Sequence, residues 1–182
     1  MPVDFNIMVG GEAGQGVQSV GFLLAKALAR RGYQVFADQD YESRIRGGHN
    51  FFRVRIRDGR VSAIAESIDI LIALNRDSIA LHQAELATGG IVIYDGEKIK
   101  DINHGNNLFH VPLDRLARER AGDIVMSNTV ALGATLALVG YDLNILNTVL
   151  HIMETSFQNE SFQLLSVNTY QFQLRPQSWC TR

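Results

Sequence analysis

The sequence predicts an α/β fold: a single Rossmann-like, three-layer domain around a mixed, mostly parallel sheet. Three observations carry this. An apolar run at residues 5–9 meets the glycine cluster Gly10, Gly11, Gly14 and Gly16, and an amphipathic segment follows at once. Continuous apolar runs, the mark of strands covered on both faces, recur at residues 69–74 (DILIAL) and 91–94, with helix-like segments between them. Residues 52–57 instead alternate strictly, Phe52, Val54 and Ile56 against Arg53, Arg55 and Arg57, which marks a half-buried strand and therefore a sheet that is not purely parallel.

In chain order, Val17, Val20, Gly21, Leu24, Ala25 and Leu28 form one helical stripe, and Gly32 is placed as its left-handed cap. Residues 34–37 read as a second strand ending in Asp38-Gln39-Asp40, and residues 41–48 (YESRIRGG) as a polar, glycine-rich loop. After the alternating strand, Asp58-Gly59 is a turn signal, so a β-hairpin near 50–64 is expected, with residues 61–64 as its return strand. Asn75 or Asp77 caps the next helix, along which lie Ile79, Leu81, His82 and Leu86. Residues 108–111 give a short strand, and Pro112 opens a charged helix from its first turn. Ser127 or Asn128 starts a small-residue helix that Gly140 ends, and its Gly133, Ala134 and Ala137 permit close packing. Further helices are expected at 144–153 and 154–172, giving a helical C-terminal third. The expected organisation is one domain, 1–175, with a tail at 176–182.

Composition narrows the function. With 182 residues, 46% hydrophobic and 20% charged, the chain is long enough for one domain with a sizeable core. A net charge of −2 gives no electrostatic case for nucleic acid or an anionic membrane as partner. No leader pattern opens the chain and no apolar run approaches the roughly 18 residues of a membrane span, so a cytoplasmic chain is expected. The single cysteine, Cys180, excludes an internal disulfide or a cysteine-ligated cluster within the chain, and the five histidines show no metal-ligand spacing.

The glycine cluster is the first candidate site. Glycines let the backbone turn tightly and approach a phosphate with no Cβ in the way. The spacing is Gly11-x-x-Gly14-x-Gly16, not the dinucleotide fingerprint G-x-G-x-x-G, and Ser19 stands where the third glycine of the closest frame should be. There is no G-K-[ST] of a triphosphate loop. Four glycines in seven positions exceed what a bare turn needs, which favours a phosphate-bearing ligand or a close partner backbone. The second candidate is the loop from Ser43 to Asn50. If it lies beside the glycine turn, Arg44 or Arg46 could make charge-assisted bonds to a phosphate or carboxylate. Arg53, Arg55 and Arg57 read as a solvated or partner-facing surface, His82 and His110 as ordinary polar residues, and His49 as the histidine to test. No nucleophile–base–acid set is recognisable.

In combination, GGEAGQGVQSVGFLLAKAL, YESRIRGGHNFFRVRI, DILIALN and SNTVALGATLALVG resemble, in that order, the gamma subunit or gamma domain of 2-oxoacid:ferredoxin oxidoreductases. The resemblance runs from about residue 5 to residue 155. It implies a component of an enzyme for coenzyme A-dependent oxidative decarboxylation of a 2-oxoacid, not a catalyst complete in itself. It also implies alpha and beta partners, a ferredoxin-like delta subunit in some complexes, and ferredoxin as acceptor. Thiamine diphosphate, Mg and iron–sulfur clusters would sit on the partners, and coenzyme A would meet this chain. By the resemblance, Gly11, Gly14, Gln15 and Gly16 match the glycine turn, and Ser43, Arg46, Gly47 and Gly48 match the second loop. Asn128 matches the residue opening the small-residue helix; all nine are ligand or interface contacts, none catalytic. At the C-terminus, Gln171 stands where the family has a small residue, and LRPQSWCTR departs from its pattern. The alternative from another class is a stand-alone nucleotide-binding module or NAD(P)-dependent oxidoreductase, supported by the strand–glycine–helix opening and by Asp38 and Asp40.

Overall fold

The computed structural model describes residues 3–42, 48–102 and 107–141. The helices expected at 144–153 and 154–172, and the tail with Trp179 and Cys180, lie outside the described residues, as do Ser43, Arg44, Arg46 and Gly47 of the second loop. The elements are β1 (Asp4–Glu12), α1 (Val17–Arg30), β2 (Gln34–Tyr41), β3 (His49–Arg57), β4 (Ile68–Ala73), α2 (Arg76–His82), β5 (Leu86–Tyr94), β6 (Leu108–His110), α3 (Leu113–Ala121) and α4 (Ser127–Leu138). Single 3-10 turns at Gln83–Glu85 and Ile124–Met126 follow α2 and precede α4.

The six strands lie in the order β2-β3-β1-β4-β5-β6. β1, β4, β5 and β6 run parallel, while β3 is antiparallel to both of its neighbours. The sheet is mixed and mostly parallel, as expected. β3 shows the alternation read from its sequence: Phe52, Val54 and Ile56 are buried, and the arginines between them are half-buried. One face carries the larger core, with Ile7, Val9, Val54, Ile56 and Ile72 under Leu24 and Leu28 of α1 and Leu132 and Leu136 of α4. On the other face Met8, Leu71 and Val92 pack with Ile79 of α2.

The hairpin expected near 50–64 does not form. Residues 61–64 are not a strand; β3 pairs over nine residues with β1 on one side and with β2 on the other. The reason is topological. Because β3 runs antiparallel to β1, it ends at the edge where the parallel strand β4 must begin, so residues 58–67 have only to cross β1. Side chains hold that crossing: Asn6 Nδ2 donates to the carbonyls of Ala65 (2.9 Å) and Ser67 (2.7 Å), Arg55 to that of Ala63, and Val3 N–H to Asp58. The antiparallel hairpin of this fold is β2–β3, around the loop that starts at Glu42.

Smaller differences follow the same logic. β2 extends to Tyr41, taking in Asp38-Gln39-Asp40, because β3 offers a partner along its whole length. Of the two candidate caps for α2, Asn75 is the one used, accepting from Ser78 N–H at 2.9 Å. Leu86 begins β5 instead of continuing α2. Pro112 stands one position before α3, and Gly32 and Gly140 have the positive φ expected of helix ends.

Candidate functional site

β1, α1 and β2 converge on a cleft of about 610 Å³ at the carboxyl edge of the sheet, a size suited to a small organic ligand. Its walls are Glu12, Ala13, Gly14 and Gly16 of the turn, Val17, Gln18 and Ser19 of α1, Gln39 and Tyr41 of β2, and Asn50 of β3. Tyr41 spans it: its hydroxyl accepts from Gln18 Nε2 and donates to Gln39 Oε1 at 2.6 Å. Tyr41 and Asn50, on the strands that flank the second loop, therefore stand beside the glycine turn.

The four glycines do different work. Gly14 (φ 88°) and Gly16 (φ 84°) adopt left-handed conformations, and they line the cleft. Gly16 is also the N-cap of α1. Among the described residues no side chain caps that helix and no acidic residue stands in its first turn, which leaves the first-turn amides for an acceptor from outside the helix. A Cβ on Gly16 would lie 2.0 Å from Asn128 Nδ2, so Asn128 at the start of α4 packs directly on the turn. Gly10 and Gly11 are small because of what crowds them: Ser78 and His49 around the first, Gln15, Val17 and Leu74 around the second. Gln15 folds back, its Oε1 accepting from Glu12 N–H at 2.7 Å while its own N–H donates to Glu12 O at 3.1 Å. Gly11 and Gln15 thus brace the turn from behind. Gly48, at the end of the second loop, has φ 72°.

Strand register separates the acidic residues from the cleft. Gln39 and Tyr41 line it, so Asp38 and Asp40 point to the opposite face of β2. There Asp38 pairs with Arg53 at 3.0 Å, and Asp4 pairs with Arg55 at 2.9 Å and Arg57 at 3.2 Å. The hydrogen bond from Arg55 holds the Asp4 carboxyl below its ordinary value. The arginine row is thus matched largely within the sheet.

The feature that sequence reasoning missed is His82. It is not an ordinary polar surface residue: it is buried, and its Nε2 lies 2.7 Å from Nε2 of His49, while its Nδ1 lies 3.0 Å from Glu85 Oε1. Phe51 packs edge-on against it at 5.7 Å. Burial, reinforced by the neighbouring His82, lowers the His49 pKa below 6.5. The available signal was weak, since His49 stands out beside Gly47-Gly48 but nothing local joins it to a helix 33 residues away.

Among the described residues there is no group of three His, Cys, Asp or Glu placed to hold a metal ion, and no helix long and apolar enough to cross a membrane. An open cleft of amides, hydroxyls and helix-start N–H groups on a mixed sheet makes this an α/β domain with a candidate ligand site. Comparison with known proteins specifies which: the chain belongs to the pyruvate ferredoxin/flavodoxin oxidoreductase family, whose model matches residues 6–174. It is 31% identical, over 93 residues, to subunit alpha of 2-oxoacid:ferredoxin oxidoreductase 2 from Aeropyrum pernix, a match covering 51% of this chain and 14% of that subunit. The chain thus spans only about a seventh of that relative. A solved keto/oxoacid ferredoxin oxidoreductase gamma subunit from Geobacter sulfurreducens superposes with TM-score 0.73 at 26% identity, covering 89% of this chain and 94% of that one. The 2-oxoglutarate:ferredoxin oxidoreductase from Magnetococcus marinus, solved with 2-oxoglutarate, coenzyme A and succinyl-CoA bound, superposes with TM-score 0.77 at 26% identity, over 88% of this chain and 29% of that one.

Proposed function

We propose that this chain is the gamma component of a 2-oxoacid:ferredoxin oxidoreductase, an enzyme converting a 2-oxoacid to its acyl-CoA, and that its cleft faces coenzyme A. The observation that carries the reading is the glycine turn. Gly14 and Gly16 line a cleft into which the uncapped first turn of α1 opens. Bare helix-start amides favour phosphate, and the amide and hydroxyl groups of Gln18, Gln39, Tyr41 and Asn50 suit the two amides of a pantetheine arm. Among the described lining residues there is no lysine or arginine, and Arg44 and Arg46 of the second loop are assigned the remaining phosphate charge.

The roles divide accordingly. Gly14, Gly16 and Gly48 allow close backbone approach, Ser43, Arg46 and Gly47 complete the second loop, Asn128 holds the turn, and Gly11 and Gln15 keep its shape. None transfers a proton. With one cysteine the chain cannot ligate a cluster by itself, so thiamine diphosphate, Mg and iron–sulfur clusters are assigned to alpha, beta and ferredoxin-like partners, with the complex in the cytoplasm. Residues 1–175 are taken as the domain and 176–182 as its tail, in keeping with a family match that ends at residue 174.

Two measurements test this. A tagged chain should recover a thiamine-dependent subunit and an iron–sulfur subunit from its native cell. In the assembled enzyme, Gly14→Ala should raise the KM for coenzyme A about threefold to tenfold, the loss of roughly one hydrogen bond, with little change in kcat. Failure to recover partners, or an unchanged KM, overturns the reading. Tight binding of NAD(H) or NADP(H) with none of coenzyme A would favour a dinucleotide module instead. The orientation of Asp38 and Asp40 away from the cleft argues against that outcome.

A further inference from the structure

We propose that Glu85, His82 and His49 form a directional hydrogen-bond relay that positions the Tyr41–Asn50 wall of the cleft, making His82 and Glu85 positioning residues for whatever binds there. The coenzyme A part of the argument rests on the reading above; the relay itself does not.

The direction follows from valence. A carboxylate only accepts, so the 3.0 Å contact with Glu85 Oε1 places a proton on His82 Nδ1. With a single ring proton, His82 presents a lone pair at Nε2. The nitrogen facing it at 2.7 Å, His49 Nε2, must be the donor, because two bare or two protonated nitrogens would repel at that distance. The remaining nitrogen, His49 Nδ1, is left as a bare acceptor. Among the described residues it is buried with no hydrogen-bond partner, as a nitrogen without a proton to donate can be.

The relay ends on the cleft wall. His49 N–H donates to Glu42 Oε2 at 2.7 Å, and its carbonyl accepts from Glu42 N–H, closing the neck of the second loop. The next residue, Asn50, pairs in register with Tyr41, and both line the cleft. One face of the β2–β3 end is therefore held by the histidines, and the other face is offered to the ligand.

One added proton keeps an N–H···N bond between the rings, whichever ring carries it; with both rings charged, two N–H groups face each other and the bond breaks. Groups from every neighbouring element bear on the pair: Glu42 after β2, Asp77 on α2, Glu85 after α2, Glu12 opposite His49 on β1, and Arg53 farther along β3. Burial opposes the charge and the carboxylates favour it.

The test uses the full chain. Long-range proton–nitrogen NMR spectra at pH 8 should show His49 as the Nε2–H tautomer and His82 as the Nδ1–H tautomer, with linked titration. Coenzyme A affinity, measured by calorimetry, should be flat above pH 7 and fall on acidification, about fivefold to tenfold once both rings are charged. In His82→Gln, whose amide oxygen can still accept from His49, affinity at pH 8 should be kept and the acid loss abolished; this variant also controls for titration of coenzyme A's own phosphates. Reversed tautomers, independent titration of the two rings, or the same acid loss in His82→Gln overturns the relay. If coenzyme A binds at no pH, the reading of the cleft fails, and the spectra alone decide the relay.

Discussion

Gly16 is the position where backbone conformation and packing are both at their limit. Its φ of 84° suits glycine, and the space a Cβ would take is held by Asn128. Gly14 has the same strain with nothing within 4 Å. Gly14→Ala should therefore cost about 1 kcal/mol, the left-handed penalty alone. Gly16→Ala should cost about 2–3 kcal/mol, and adding Asn128→Ala should bring it back toward the Gly14→Ala value. Urea unfolding of the three variants reads the difference directly; equal losses at Gly14 and Gly16 would refute the assignment. Gly21 makes a similar demand from packing, since a Cβ there would lie 2.3 Å from the Phe52 ring where α1 crosses β3. These requirements were half legible. Spacing alone excluded the dinucleotide fingerprint, but it could not tell a glycine needed for φ from one needed for a neighbour.

At the scale of elements, α2 has two roles, because Ile79 joins the second core while His82 reaches His49 at the start of β3. Its start depends on Asn75, whose Oδ1 accepts from Ser78 N–H, and also from the Ser78 hydroxyl at 2.6 Å. Asn75→Ala should lower stability by about 1 kcal/mol, measured by denaturant melts, whereas Asp77→Ala, which removes no cap, should cost less. β3 shows what periodicity conveys. Its alternation identified the buried and arginine faces residue by residue, because a period of two follows from strand geometry. The same alternation carried nothing about partners, and the turn signal at Asp58-Gly59 led to a return strand that the sheet has no place for. The dipeptide is a bend in a crossing connection, held by Asn6, Arg55 and Val3 from outside the segment.

The whole molecule should show its histidine pair in its pH dependence. The His49 pKa is lowered from 6.5 in the folded chain, so just below pH 6.5 the unfolded chain binds more protons than the folded one. Stability is then fully present above about pH 6.5 and declines as pH falls through the folded value, by up to about 1.4 kcal/mol per pH unit for one proton. Asp69 acts in the opposite sense: burial raises its pKa above 3.8, so protonation at that site favours the fold. Thermal melts between pH 8 and 5 should show the decline, and His49→Gln should flatten it. An unchanged slope in that variant would place the titrating group elsewhere.

The sequence by itself determined the α/β class, most element positions, the two faces of β3, the glycine turn as a candidate site and the family resemblance. Each of these is written in residues close together along the chain. Only the tertiary structure decided that β3 lies between β1 and β2, that Asp38 and Asp40 turn from the cleft, that Asn128 packs on Gly16, and that His49 meets His82. The reason is that hydrophobic periodicity specifies which side of an element is buried, whereas every strand edge offers the same backbone donors and acceptors. Which edge is taken, and hence which distant side chains meet, is set by the packing of the whole sheet.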